Sequence, residues 1–182
     1  MEFNIPNRIT LARILMVPLF MIFLLTPIRG GEIIALVIFM IASATDAVDG
    51  YIARNWKQIT TFGKFADPLA DKLLVAAALL SFIQLNQISA VWVMIIISRE
   101  FLVTGLRIMA ISQDLIISAS TLGKIKTISH IALVLVILGN SSWNWGEVGE
   151  VLKVVFIYLA VALALLSGAD YFYRSRGLFS QP

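Results

Sequence analysis

The sequence predicts an all-α polytopic membrane protein, with six transmembrane helices and a short N-terminal interfacial segment. Three observations predict it. Of the 182 residues, 59% are hydrophobic and only 14% are charged, whereas a soluble domain carries roughly 25% charged residues to cover its surface. The mean hydropathy of +0.91 also excludes a disordered chain, which is poor in apolar surface. Six apolar stretches follow one another, most near the ~20 residues a helix needs to cross the hydrocarbon. The length fits one domain over residues 1–182.

The first stretch runs from about Ile9 to Thr26 and holds Arg13 as its one charge; Pro18 inside it predicts a kink. Before it, Met1 to Arg8 mixes Phe3, Ile5 and Pro6 with polar residues and reads as interfacial. With Glu2, no basic leader and Arg13 in the apolar run, this is not a cleavable signal. The second stretch spans Ile33 to about Arg54, and the third begins near Asp67 and runs to Leu85. The fourth spans Ala90 to about Met109 and carries Arg99 and Glu100. The fifth spans Leu122 to Leu138, opening on Lys124 and Lys126, and the sixth Val151 to about Tyr173. Several reach crossing length only by including charged ends, so the charges are expected to be used.

Basic residues set the orientation. With six spans both termini share a side. That side holds Arg8, Arg13, Arg54, Lys57, Lys64, Lys72, Arg107, Lys124, Lys126, Arg174 and Arg176, and the other only Arg29 and Lys153. Such asymmetry puts both termini in the cytoplasm. Trp143 and Trp145 in the last outer loop suit an interfacial belt. The net charge of +3 is thereby a membrane signal, and no nucleic-acid partner is expected.

The chain has no Cys and one His. This excludes disulfides, thiolate zinc sites and cysteine nucleophiles. A metal would have to sit on carboxylates, which suits hard cations such as Mg²⁺ or Mn²⁺. Four of the eleven acids fall between Asp46 and Asp71, at the cytoplasmic ends of spans two and three. Asp46 and Asp49 are spaced i,i+3, and Gly50 and Ala53 continue their stripe, so something bulky can lie against it. Gly63, Asp67 and Asp71 form a second stripe at i,i+4,i+8. Four crowded carboxylates repel unless one or two divalent ions sit among them, and such ions bind phosphate. Arg54, Lys57 and Lys64 add cations for phosphate oxygens. The bland alternative is a set of solvated helix-end acids; the rival function is an ion relay in a cation transporter.

The stretch Asp46-x2-Asp49-Gly50-x2-Ala53-Arg54-x8-Gly63-x3-Asp67-x3-Asp71 resembles the signature of the CDP-alcohol phosphotransferase family at all eight fixed positions. Asn4-Ile5-Pro6-Asn7-x2-Thr10-x2-Arg13, Arg99-Glu100-x6-Arg107 and Gly123-Lys124-Ile125-Lys126-Thr127 resemble the bacterial branch that uses sn-glycerol 3-phosphate. The resemblance implies transfer of the phosphatidyl group of CDP-diacylglycerol to that alcohol, with release of CMP. It also implies a homodimer in the inner membrane of a bacterium, acting at the cytoplasmic face of the bilayer. Carried over, Asp46, Asp49 and Asp67 are metal ligands for Mg²⁺ or Mn²⁺, two ions in all. Asp71 is the general base and a further ligand. Gly50, Ala53, Arg54 and Gly63 line the CDP-diacylglycerol site. Other acceptors of the same family, as in cardiolipin synthase or the serine and inositol phosphate transferases, are the alternatives.

Arg99 and Arg107 lie roughly 12 Å apart along span four, and Lys124 and Lys126 open span five on the same side. These four are read as the pocket for the phosphate of glycerol 3-phosphate. A buried Arg needs a partner; Glu100 faces about a quarter-turn away, so another helix or the phosphate is expected to help. His130 reads as a polar packing residue. Asn7, Thr10 and Arg13 either reach the nucleotide or anchor the interface.

Overall fold

The computed structural model describes residues 5–56, 61–112 and 120–176, with side chains described outside 5–8, 46–56, 61–71 and 111–112. These residues form six α-helices and no strand: α1 (Ile5–Leu25), α2 (Gly31–Trp56), α3 (Thr61–Gln84), α4 (Ala90–Ser112), α5 (Thr121–Trp143) and α6 (Gly146–Arg174). The all-α class is the predicted one, for a physical reason. A backbone in hydrocarbon has no water to bond, so each apolar run closes its own hydrogen bonds as a helix. Residues 5–8, expected in an interfacial segment, open α1. Pro6 stands in its first turn, where the missing N–H breaks no helical bond. Residues 1–4 lie outside the described residues.

The chain divides into two compact units, Met1–Leu85 with Leu138–Asn144, and Asn86–Ile137 with Trp145–Pro182. In the first, α1 packs along both α2 and α3. Its buried stripe includes Thr10, Arg13, Phe20 and Leu24, a spacing of threes and fours that keeps one face inward. Phe20 meets Phe39 of α2 with ring centroids 6.0 Å apart. Ala35, Ala42, Ala77 and Ala78 let the helices approach closely. The other faces of α1 expose Leu11, Leu15, Leu19 and Ile22, as expected of a helix against lipid.

In the second unit α4 and α6 run side by side in the same direction. Gln87, just before α4, accepts a hydrogen bond from Lys153 at 3.1 Å. Trp92 packs edge-on against Tyr158 at 5.4 Å, and Arg99 passes Gly168. Arg107 donates to Tyr171 at 2.9 Å. Both members of each pair advance together along the two helices. Met94 and Phe101 of α4 stay 65% and 70% exposed, as expected of a helix that faces lipid.

Helices α5 and α6 are long and apolar enough to cross a membrane. Among the described residues the remaining apolar runs are shorter, at Ile9–Leu25, Gly31–Thr45 and Lys72–Gln84. Helix α5 ends and α6 begins five residues outside the predicted limits, at Trp143 and Gly146. The turn between them uses two left-handed residues, Asn144 (φ 47°) and Gly146 (φ 61°).

The α1–α2 turn supplies a stability test. A Cβ at Gly31 would strike the backbone carbonyl of Phe23. Gly31→Ala must therefore move one helix end against the other. The expected cost is about 1–3 kcal/mol, the range for overpacking, read as a lower Tm of the detergent-purified protein. An unchanged Tm would show that the turn yields freely.

Candidate functional site

Two sets of charged residues stand out, one in each unit. The first is the carboxylate motif. Asp46, Asp49, Gly50, Ala53 and Arg54 all lie in the last part of α2, and Gly63, Asp67 and Asp71 in the first part of α3. Asp46 and Asp49 are one turn apart on α2, as are Asp67 and Asp71 on α3. Residues 57–60 connect the helices, and five residue steps span at most about 18 Å. The two motif-bearing helix ends are thus neighbours along the chain, and α1 packs along both helices. The side chains of this motif lie outside the described residues, as does Lys57. The donor chemistry is nonetheless defined: four carboxylates suit a hard divalent cation.

The second set is built by α4 and α5. Ser120 caps α5: its Oγ accepts from the Gly123 N–H at 3.1 Å, and its carbonyl accepts from the Lys124 N–H at 3.3 Å. This fixes the helix start and sends Lys124 and Lys126 to different faces, since residues two apart do not share one. Lys126 is buried, and its ammonium pairs with the Glu100 carboxylate of α4. Lys124 is exposed.

Glu100 also reaches Arg99, with Oε1 3.3 Å from Nη1. The expectation that Glu100 faces away from Arg99 is therefore corrected. The side chains bridge the quarter-turn between their Cα atoms, while Thr104 takes up the Glu100 backbone carbonyl at 2.7 Å. One carboxylate thus serves two cations. Arg99 also depends on Gly168 of α6, where a Cβ would sit 3.2 Å from its Cγ. The absence of a side chain there lets the Arg99 stem lie against α6.

Arg107 is arranged differently. It is exposed, donates from Nε to the hydroxyl of buried Tyr171 at 2.9 Å and lies 5.8 Å from that ring's centroid. Of the four cations predicted to form one phosphate pocket, the structure joins Arg99 and Lys126 through Glu100. It sets Arg107 on Tyr171 and leaves Lys124 exposed on another face of α5. Sequence reasoning missed Glu100 as a shared counter-ion, although an acid at membrane depth beside an Arg was a usable signal. It also missed Tyr171 and Gly168, for which no local signal exists.

A family model described as CDP-alcohol phosphatidyltransferase matches residues 3–166, a span that includes the carboxylate motif and the Arg99–Glu100–Lys126 group. The chain belongs to the CDP-alcohol phosphatidyltransferase family. Its similarity to individual members of that family runs end to end. A CDP-diacylglycerol–glycerol-3-phosphate 3-phosphatidyltransferase of Bacillus subtilis (strain 168) is 42% identical over 185 residues, covering 95% of this chain and 95% of its own length. Proteins of the same name are 35% identical in Haemophilus influenzae and 34% identical in Rickettsia bellii. Each alignment covers 97% of this chain, and 96% and 97% of the respective relative. Membership of a lipid-modifying family agrees with the apolar exteriors of the helices, and the chain is a membrane-associated phospholipid-synthesis protein.

Proposed function

We propose that this chain transfers the phosphatidyl group of CDP-diacylglycerol to sn-glycerol 3-phosphate, giving phosphatidylglycerol phosphate and CMP. The observation that carries this reading is the end-to-end similarity to relatives named for that reaction. All of residues 1–182 then serve as one catalytic membrane domain. The ion-relay alternative leaves Gly50, Ala53, Arg54 and Gly63 without a role.

In this reading Asp46, Asp49, Asp67 and Asp71 hold two Mg²⁺ or Mn²⁺ ions. When bound, such ions neutralise charge on the pyrophosphate. Gly50, Ala53 and Gly63 leave room for the nucleotide lipid, and Arg54 offers a guanidinium to its phosphate oxygens. The C1 hydroxyl oxygen of the acceptor bonds to the phosphorus that carries diacylglycerol. The bond from that phosphorus to CMP breaks, and the hydroxyl proton passes to Asp71. Arg99 and Lys126 take the acceptor's phosphate, and Arg107 and Lys124, which are set apart from that pair, add positive charge along its approach. Lys126 and Arg99 meet at one carboxylate, which places two cationic donors side by side for an anion. Both termini and the motif-bearing helix ends face the cytoplasm, where CMP and glycerol 3-phosphate are soluble, and the enzyme works as a homodimer.

The test is CMP release from CDP-diacylglycerol by the purified protein with glycerol 3-phosphate, phosphatidylglycerol, serine or inositol phosphate as acceptor. Glycerol 3-phosphate is expected to be preferred; preference for another acceptor would keep the family and replace the substrate. A hydrogen bond to a charged group is worth about 1.5–3 kcal/mol. Lys126→Gln should lower kcat/KM for glycerol 3-phosphate by about 10- to 100-fold, and Arg107→Gln and Lys124→Gln, which act only through long-range charge, by less. The KM for CDP-diacylglycerol should barely move. An unchanged acceptor KM in all three would remove the pocket.

A further inference from the structure

Two buried nitrogens beside the Glu100 carboxylate are left over from the pairing described above. His130 is 3% exposed and stands one turn after Lys126 on the same face of α5. It lies within electrostatic reach of Lys126, Glu100 and Arg99, and its ring is hydrogen-bonded to the backbone of Ala160 on α6. Among the described residues, its Nε2 meets no hydrogen-bond partner, and neither does Nε of Arg99. The bond to Ala160 therefore belongs to Nδ1, whose N–H donates to the carbonyl, and the neutral ring carries its lone pair on Nε2. Arg99 Nε is a donor. The unmet groups are thus one donor and one acceptor in the same charged cluster. Buried polar atoms nearly always find partners, so this combination asks for a ligand.

The ligand's chemistry follows from the groups. An anionic oxygen suits Arg99 and Lys126, the two cationic donors that meet at Glu100. A hydroxyl close to that anion suits His130 Nε2. Glycerol 3-phosphate has this order, with its phosphate on C3 and a free hydroxyl on C2. We propose that His130 Nε2 accepts a hydrogen bond from the C2 hydroxyl of the acceptor. His130 is then a specificity-determining residue. It selects a hydroxylated alkyl phosphate over a bare one and leaves the C1 hydroxyl, at the far end from the phosphate, to attack. This rests on the reading that the Arg99–Lys126 group takes the acceptor's phosphate.

The probe is 3-hydroxypropyl phosphate, which is glycerol 3-phosphate without the C2 hydroxyl. The full chain in detergent should use it with kcat/KM about 10- to 100-fold below that for glycerol 3-phosphate, the effect of leaving a buried acceptor unmet. In His130→Phe the ratio between the two acceptors should fall to near one. Structural damage lowers both acceptors alike and does not move the ratio. His130→Leu serves the same test if the phenylalanine variant does not fold. A wild-type ratio near one, or a ratio that survives loss of the imidazole, overturns the proposal. Failure of the wild type to use glycerol 3-phosphate at all overturns the functional reading instead.

Discussion

Chelation with EDTA is expected to abolish CMP release, and added Mg²⁺ or Mn²⁺ to restore it. The sequence offers a metal few alternatives: no Cys, one His, and four aspartates within 26 residues. Carboxylates this close raise one another's energy when ionised, and a divalent cation removes that repulsion. Asp46→Ala, Asp49→Ala and Asp67→Ala should therefore each do what EDTA does. A metal's charge stabilisation is worth several kcal/mol, which at 1.36 kcal/mol per tenfold is a loss on the order of 10³-fold or more. A second readout does not depend on turnover. A cation that binds only the folded protein raises its Tm by mass action. Mn²⁺ should raise the Tm of the wild type and have a smaller effect on each of the three variants. Full activity in a metal-free preparation would sink the metal reading.

The helices were legible because each apolar run must close its own backbone hydrogen bonds, whatever it packs against. Their ends were less so. Gly139-Asn140-Ser141-Ser142 is a run of turn-forming residues, and the sequence reading stopped α5 at Leu138. The helix continues to Trp143, since turn propensity is a weak preference and Asn144 and Gly146 supply the left-handed turn. The same shortening applies at Gly146 to Glu150, polar residues with Gly149 that lie ahead of the expected start at Val151 and belong to α6. Glu147 lies in the first turn of α6, where a carboxylate is favoured by the helix dipole.

The candidate site divides in the same way. The aspartate motif was legible because its spacing is local to two consecutive helices. The Glu100–Lys126 pair joins α4 to α5, and Arg107 meets Tyr171 only because α4 and α6 run parallel. Periodicity within one helix says nothing about which neighbour its face will meet. Lys124 and Lys126 illustrate the limit from the other side. They are two residues apart and equal in charge, yet one is exposed and the other buried, because 3.6 residues per turn send them to different faces.

Asp71→Asn is expected to separate proton transfer from metal binding. The amide keeps the size of the carboxylate and one oxygen that can still meet a cation, but it cannot take the acceptor's proton. Loss of a positioned general base costs about 10²- to 10⁴-fold, and the loss should fall on kcat. The KM for CDP-diacylglycerol should stay near that of the wild type, because donor binding draws on the other aspartates and on Arg54. Because Asp71 is a ligand as well as the base, the Tm increase with Mn²⁺ should shrink in both Asp71→Asn and Asp67→Asn but survive in part. Asp71→Glu restores a base on a longer stem and should recover part of the lost kcat; that recovery with no further change in the Mn²⁺ effect marks the base. If Asp71→Asn turns over at a near-normal rate, the proton goes elsewhere. If instead it loses both turnover and all of the Mn²⁺ effect on Tm, Asp71 acts as a ligand first and its role as base falls.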